Sequence, residues 1–146
     1  MFRYELAIKP EFHLNFDIID KIFSNISKII PKKQEGTLNI IFSNNKEIQK
    51  LNHTYRNINK ATDVLSFHYF EDFQNLKSND IAGEIVLSEE KIIDQGQEYG
   101  LGEEKEFYKL LIHSTLHILG YDHEQDDDYK IMQEKEEQIW NKVFEK

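Results

Sequence analysis

EEKEFYKLLIHSTLHILG, residues 103–120, places apolar side chains at helical spacing from Phe107 to Ile118 and ends on a glycine. A helix turns about 100° per residue, so Phe107, Leu111, Ser114 and Ile118 share one arc. His113 and His117 lie along the flank of that arc beside Leu110, bordering a core without filling its centre. Gly120 suits a left-handed cap, which predicts that the helix stops there and the chain reverses. A helix with so broad an apolar arc needs a partner layer, and the segments upstream supply β-rich runs to provide one.

Working outward, RYELAIK (3–9) alternates as a first strand, and Phe12 to Ile30 shows helical spacing stopped at Pro31. Gly36 turns the chain into TLNIIFS (37–43), a second strand. NNKEIQKLNHTYR (44–56) reads as a helix, with asparagines to cap it and Ile48, Leu51 and Tyr55 on one side. DVLSFHYF (63–70) is a third strand candidate, EDFQNLKSND (71–80) is polar and unpatterned, and AGEIVLS (82–88) is a fourth strand. Ser88 can cap a helix over SEEKIIDQGQEYG, with two glutamates in its positive first turn. Gly100 and Gly102 separate it from the helix at 103. A last amphipathic helix follows from Asp126, through Tyr129, Met132, Ile139, Trp140 and Val143. With no repeat and no dividing linker, residues 1–146 predict a single α+β domain, a small mixed sheet of about four strands packed with about five helices.

Composition narrows the chemistry. None of the 146 residues is cysteine, so disulfides, thiolate zinc sites and cysteine nucleophiles are excluded, and any metal must be held by nitrogen and oxygen. The start lacks the apolar stretch of a signal peptide, and no window approaches the roughly 20 apolar residues of a membrane span. A soluble, cytoplasmic protein without a membrane partner is expected. The formal net charge of −9 argues against a nucleic-acid binder, which normally shows a basic footprint. That charge is uneven, however. Residues 121–146 hold nine acids and four lysines, so more than half of the excess sits in the last helix and its approach.

The histidines have chelating spacing, H-x₃-H-x₂-G-x₂-H. His113 and His117 are one turn apart on one helix flank, and the reversal at Gly120 can return His123 toward them. Three imidazoles on one Zn²⁺, with water in the fourth position, is the arrangement of a catalytic zinc, where the ion lowers the pKa of its water. The same spacing occurs in the metzincin proteases, where a glutamate after the first histidine is the base. Here that residue is Ser114, a hydroxyl that cannot take a proton at neutral pH. His13, His53 and His68 have no partners at ligand spacing and read as surface or core-edge residues. Asp126, Asp127 and Asp128 read as helix capping and solvated charge, and Trp140 as packing.

HSTLHILGYDHE, together with LNHTYRNINKATDVLSF and AGEIVLS in that order upstream, resembles the YbeY family of bacterial metal-dependent endoribonucleases and ribosomal RNA maturation factors. The likeness spans about residues 38 to 125. It implies that His113, His117 and His123 bind zinc, that Arg56 is the positive residue of the active cleft, and that single-stranded RNA is the substrate. It also implies trimming of the small-subunit ribosomal RNA 3′ end, a role in ribosome quality control and the small ribosomal subunit as partner; a monomer is expected. The chain departs from the family pattern at Ser114, where glycine is usual, at His68, where proline is common, and at Glu84, which replaces the aspartate of G-D-I.

Physically, a guanidinium at position 56 can hold a phosphate through two hydrogen bonds. Lys60 lies in the same block and Lys46 and Lys50 earlier on the same helix, and they are expected to add positive potential. Thr62 and Asp63 can brace a loop or touch substrate, and Asp122 reads as a turn residue or an outer partner of the metal. No side chain declares itself as the base; Glu84, Glu106 and Asp122 are the candidates to relay a proton. Two alternatives stay open: a non-enzymatic assembly factor with a structural metal, closed by Asp122 or Glu124, and a zinc peptidase.

Overall fold

The computed structural model describes residues 1–69, 80–122 and 125–145. In chain order these form β1 (Arg3–Ile8), α1 (Phe16–Ile29), β2 (Thr37–Ser43), α2 (Asn45–Arg56), β3 (Val64–His68), β4 (Ile81–Ser88), α3 (Glu89–Glu98), α4 (Glu103–Ile118) and α5 (Asp126–Phe144). The strands make one sheet in the order β1-β2-β4-β3. β1, β2 and β4 run parallel, and β3 pairs antiparallel to β4 at the edge. The expected mixed four-stranded sheet with five helices is therefore the fold observed.

β2 alternates along its whole length, sending Leu38, Ile40 and Phe42 into the main core. There they meet Ile19, Ile22, Phe23 and Ile26 of α1, each fully buried and each contributing about 1.5–3 kcal/mol by leaving water. β4 is buried on both faces, as a central parallel strand should be. Ile85 and Leu87 join the main core, while Val86, on the opposite face, packs with Leu65 and with Ile48 of α2. α2 thus covers the second face of the sheet and carries its last residue, Arg56, to the edge where β3 lies.

Helix starts follow side-chain caps. Asn15 accepts a hydrogen bond from the amide of Asp17, so α1 begins at Phe16 and not near Phe12 as the apolar spacing suggests. Phe12 instead packs edge-on against Phe42. Asn44 caps α2 through the amide of Glu47, and Ser88 caps α3 through that of Lys91. α5 opens differently from the expected aspartate cap: Gln125 precedes it without a side-chain cap bond, and the three aspartates occupy its first turn. Their charge favours the positive end of the helix dipole.

Gly83 explains how closely β3 and β4 approach: a Cβ there would lie 2.4 Å from the carbonyl oxygen of Phe67. The same position faces Ile118 of α4, so the absent side chain lets the C-terminal end of α4 settle beside β3 and β4. Among the described residues no helix is long and apolar enough to cross a membrane. The third strand candidate extends to Phe70, and Phe70 and the unpatterned residues 71–79 lie outside the described residues.

Candidate metal centre

α4 buries Phe107, Leu111, Ser114 and Ile118, the arc expected from its sequence, and holds His113 and His117 half-buried on the flank. Its end is a Schellman turn. The amide of Tyr121 donates to the carbonyl of Leu116 and that of Gly120 to His117, with Gly120 at φ 98°. Lys32, from the segment between α1 and β2, reinforces the turn: its Nζ donates to the carbonyl of Leu119 at 2.6 Å and sits 4.9 Å from the centre of the Tyr121 ring. The chain's exit from α4 is thus fixed as far as Tyr121.

The two imidazoles meet edge to face, with ring centres 4.5 Å apart and their Nε2 atoms 3.1 Å apart. Two nitrogens bound to one tetrahedral zinc lie roughly 3.3 Å from each other, given bonds of about 2.0–2.1 Å. The pair fits a metal with little adjustment. Among the described residues no group of three metal-binding side chains is gathered. His123, the third expected ligand, and Glu124 lie outside the described residues.

Both histidines line an open cleft of about 940 Å³ between α4, β3 and the end of α2. Arg56 reaches this cleft with Tyr55, whose ring packs on Phe67 at 5.3 Å between centres. Asn57, in the left-handed region at φ 56°, ends α2, and Asn52 ties down the following loop by donating to the carbonyl of Lys60 at 2.9 Å. The asparagine and arginine of L-N-x-x-Y-R therefore have separate tasks, one bracing and one facing the cleft. Thr62 and Asp63 combine both: their side chains line the cleft, while the Asp63 carbonyl accepts from the amide of Ser88.

Several expectations shift. Lys46, Lys50 and Lys60 are not among the described lining residues; the cation that joins Arg56 is Lys109 of α4. Lys50 pairs instead with Glu47 on the exposed side of α2. His68 lines the cleft, whereas His13 and His53 are exposed elsewhere. Of the three proposed proton carriers, Asp122 borders the cleft. Glu84 accepts a hydrogen bond from the Tyr69 hydroxyl, and Glu106 is buried and paired with Lys109 at 2.7 Å. Ser114 is fully buried, and its hydroxyl has no hydrogen-bond partner among the described residues.

Glu136 of α5 was not anticipated. Its Oε1 lies 2.5 Å from Nδ1 of His113, on the ring edge opposite the paired Nε2 atoms. The sequence contained a signal for it: Met132, Glu136, Ile139 and Val143 fall at spacings of four, three and four, so Glu136 interrupts an otherwise apolar stripe.

Comparison with known proteins agrees with the geometry. The family model described as Endoribonuclease YbeY matches residues 9–144. An Endoribonuclease YbeY of Caldicellulosiruptor bescii is 42% identical over 131 residues, covering 84% of this chain and 82% of its own. That of Mycoplasmopsis pulmonis is 37% identical over 141 residues, 96% of this chain and 90% of its own. The solution structure of a Thermotoga maritima protein superposes with a TM-score of 0.67 at 30% identity, covering 99% of this chain and 89% of that one. A match over nearly the whole chain, on the sheet and helices that hold this histidine pair beside Arg56, places the protein in the YbeY endoribonuclease family.

Proposed function

We propose that the protein is a zinc-dependent endoribonuclease that cleaves single-stranded RNA and trims the 3′ end of the small-subunit ribosomal RNA. In this reading it works in the cytoplasm on the small ribosomal subunit, as a monomer. The observation that carries it is the pair of Nε2 atoms of His113 and His117, 3.1 Å apart on the wall of an open cleft. The relatives' shared name, Endoribonuclease YbeY, supports RNA as the substrate.

His113, His117 and His123 would hold one Zn²⁺, leaving a fourth position for water. Bound there, zinc supplies Lewis acidity toward a phosphoryl oxygen and makes water more acidic. Arg56 holds and orients the phosphate through its planar fork, and Asp122 is the candidate to carry the proton. Arg56 and Lys109 against Asp63, Asp122 and Glu136 leave the described lining one negative charge in excess. A dication reverses that sign, which reconciles an acidic chain with an anionic substrate. Affinity is expected to remain weak and salt-sensitive.

The turn after α4 is already held by its own cap and by Lys32, which leaves a purely structural metal little to do and favours catalysis. A peptidase reading lacks its usual glutamate after the first histidine: Ser114 stands there and is buried, and Glu136 meets the far edge of the His113 ring. The test is cleavage of matched single-stranded and duplex RNAs by rigorously purified wild type and His117→Ala. Loss of both zinc and single-strand cleavage is expected; zinc loss with undiminished cleavage refutes the proposal.

A further inference from the structure

Glu136 does something that its own helix does not need. It sits on the inward stripe of α5 between Met132 and Ile139, both buried, with its side chain only 29% exposed. A carboxylate among apolar neighbours is costly unless a donor meets it. The donor here is the His113 ring, and its identity has a consequence for the opposite edge of that ring.

An ionised carboxylate only accepts hydrogen bonds, so the short contact to Nδ1 places the imidazole proton on Nδ1. Nε2 then keeps its lone pair, and that is the atom turned toward Nε2 of His117. Both the tautomer and the rotation of the ring are set from behind by a residue 23 positions away in sequence, on a different helix. We infer that Glu136 is a positioning residue for metal binding: it holds His113 in the tautomer and orientation that ligate through Nε2. This rests on the zinc site proposed above and extends it to α5, which joins the site through this single carboxylate among the described residues of that helix.

The inference divides α5 by role. Met132, Ile139 and Val143 attach the helix to the core, while Glu136 uses that attachment to fix an imidazole. Removing the carboxylate should leave the helix in place but weaken the metal.

The test combines two measurements on the full chain. Zinc affinity is measured by competition with a chelator for wild type, Glu136→Ala and Glu136→Gln. Imidazole ¹⁵N NMR of the metal-free proteins, at mildly alkaline pH where the rings are neutral, reads the tautomer. Glu136→Ala is expected to weaken zinc about 10–100-fold, the range for loss of such an outer partner. It should also convert one histidine from the pure Nδ1–H form to a mixture. Glu136→Gln, which keeps an accepting oxygen, should restore most of the tautomer and part of the affinity, and covers the case in which the alanine variant does not fold.

A purely structural role predicts a lower melting temperature with unchanged zinc affinity and tautomer, and that result overturns this inference alone. A wild type that binds no zinc, while its tautomer still responds to Glu136→Ala, overturns the zinc reading and with it the role of Glu136 in that site.

Discussion

Two carboxylates meet cationic or basic partners one turn apart on α4, Lys109 and His113, and they differ in reach. Glu106 belongs to α4 itself, is 1% exposed, and closes onto Lys109 one turn later. Glu136 arrives from α5, is only partly buried, and meets a ring whose other nitrogen faces the cleft. The first pair lies within one helix, and its lysine reaches the cleft wall as a charge already matched by Glu106. The second passes its influence through an imidazole to the surface where chemistry would occur. Burial alone would rank Glu106 as the more consequential acid; what the partner does with its remaining atoms reverses that ranking.

The sharpest way to break the comparison is on the histidine side. His117→Ala should lower zinc affinity at least about a thousandfold, roughly 4 kcal/mol, by removing one of the three proposed protein ligands. Urea unfolding of the metal-free protein should hardly change, because the ring is at the core's edge. On the lysine side the pattern should invert. Glu106→Gln should lose about 2 kcal/mol of stability in the same unfolding assay by weakening a buried charged pair, the loss being limited because Lys109 is 44% exposed and can be rehydrated. Its zinc affinity should change far less than that of His117→Ala.

A third variant sharpens the contrast from the core side of the same helix. Ser114→Ala removes a buried hydroxyl without a partner, and should raise stability by about 1 kcal/mol with no change in zinc binding. The smallest effect concerns pH. Burial, then the hydrogen bond to Glu104, raises the pKa of the Tyr108 hydroxyl above its ordinary value. The folded state thus favours the protonated phenol, so this contribution is complete below about pH 10, where the unfolded chain ionises, and falls as pH rises further. Melting temperatures followed into that alkaline range should decline less steeply for Tyr108→Phe than for wild type.

How much of this was legible beforehand depended on whether neighbours in sequence are neighbours in space. α4, its buried arc and the reversal at Gly120 are local consequences of periodicity and one glycine, and they read directly. The start of α1 misled because Phe12 has the right spacing, yet Asn15 captures an amide and begins the helix later. Strand identity was readable; strand order was not, because the pairing of β2 with β4 across the intervening β3 depends on tertiary packing. The same limit affected the cleft. Lys46 and Lys50 share a helix with Arg56 but not its environment, while Lys109, more than fifty residues later, joins Arg56 at the lining. Glu136 escaped notice because a glutamate in a charged helix is normally solvated, and its place in the apolar stripe was the sign to weigh.

The lysine that clasps the end of α4 also bears on when that end is secured. Lys32 and Leu119 are 87 residues apart, so this contact closes only after most of the chain has been made and its first half has docked. The helix and its glycine turn can form early by themselves, but the clasp on their end waits for a distant partner. The end of the helix is thereby tied to completed folding: a nascent chain with only part of its sheet assembled would carry the glycine turn without the lysine that clasps it.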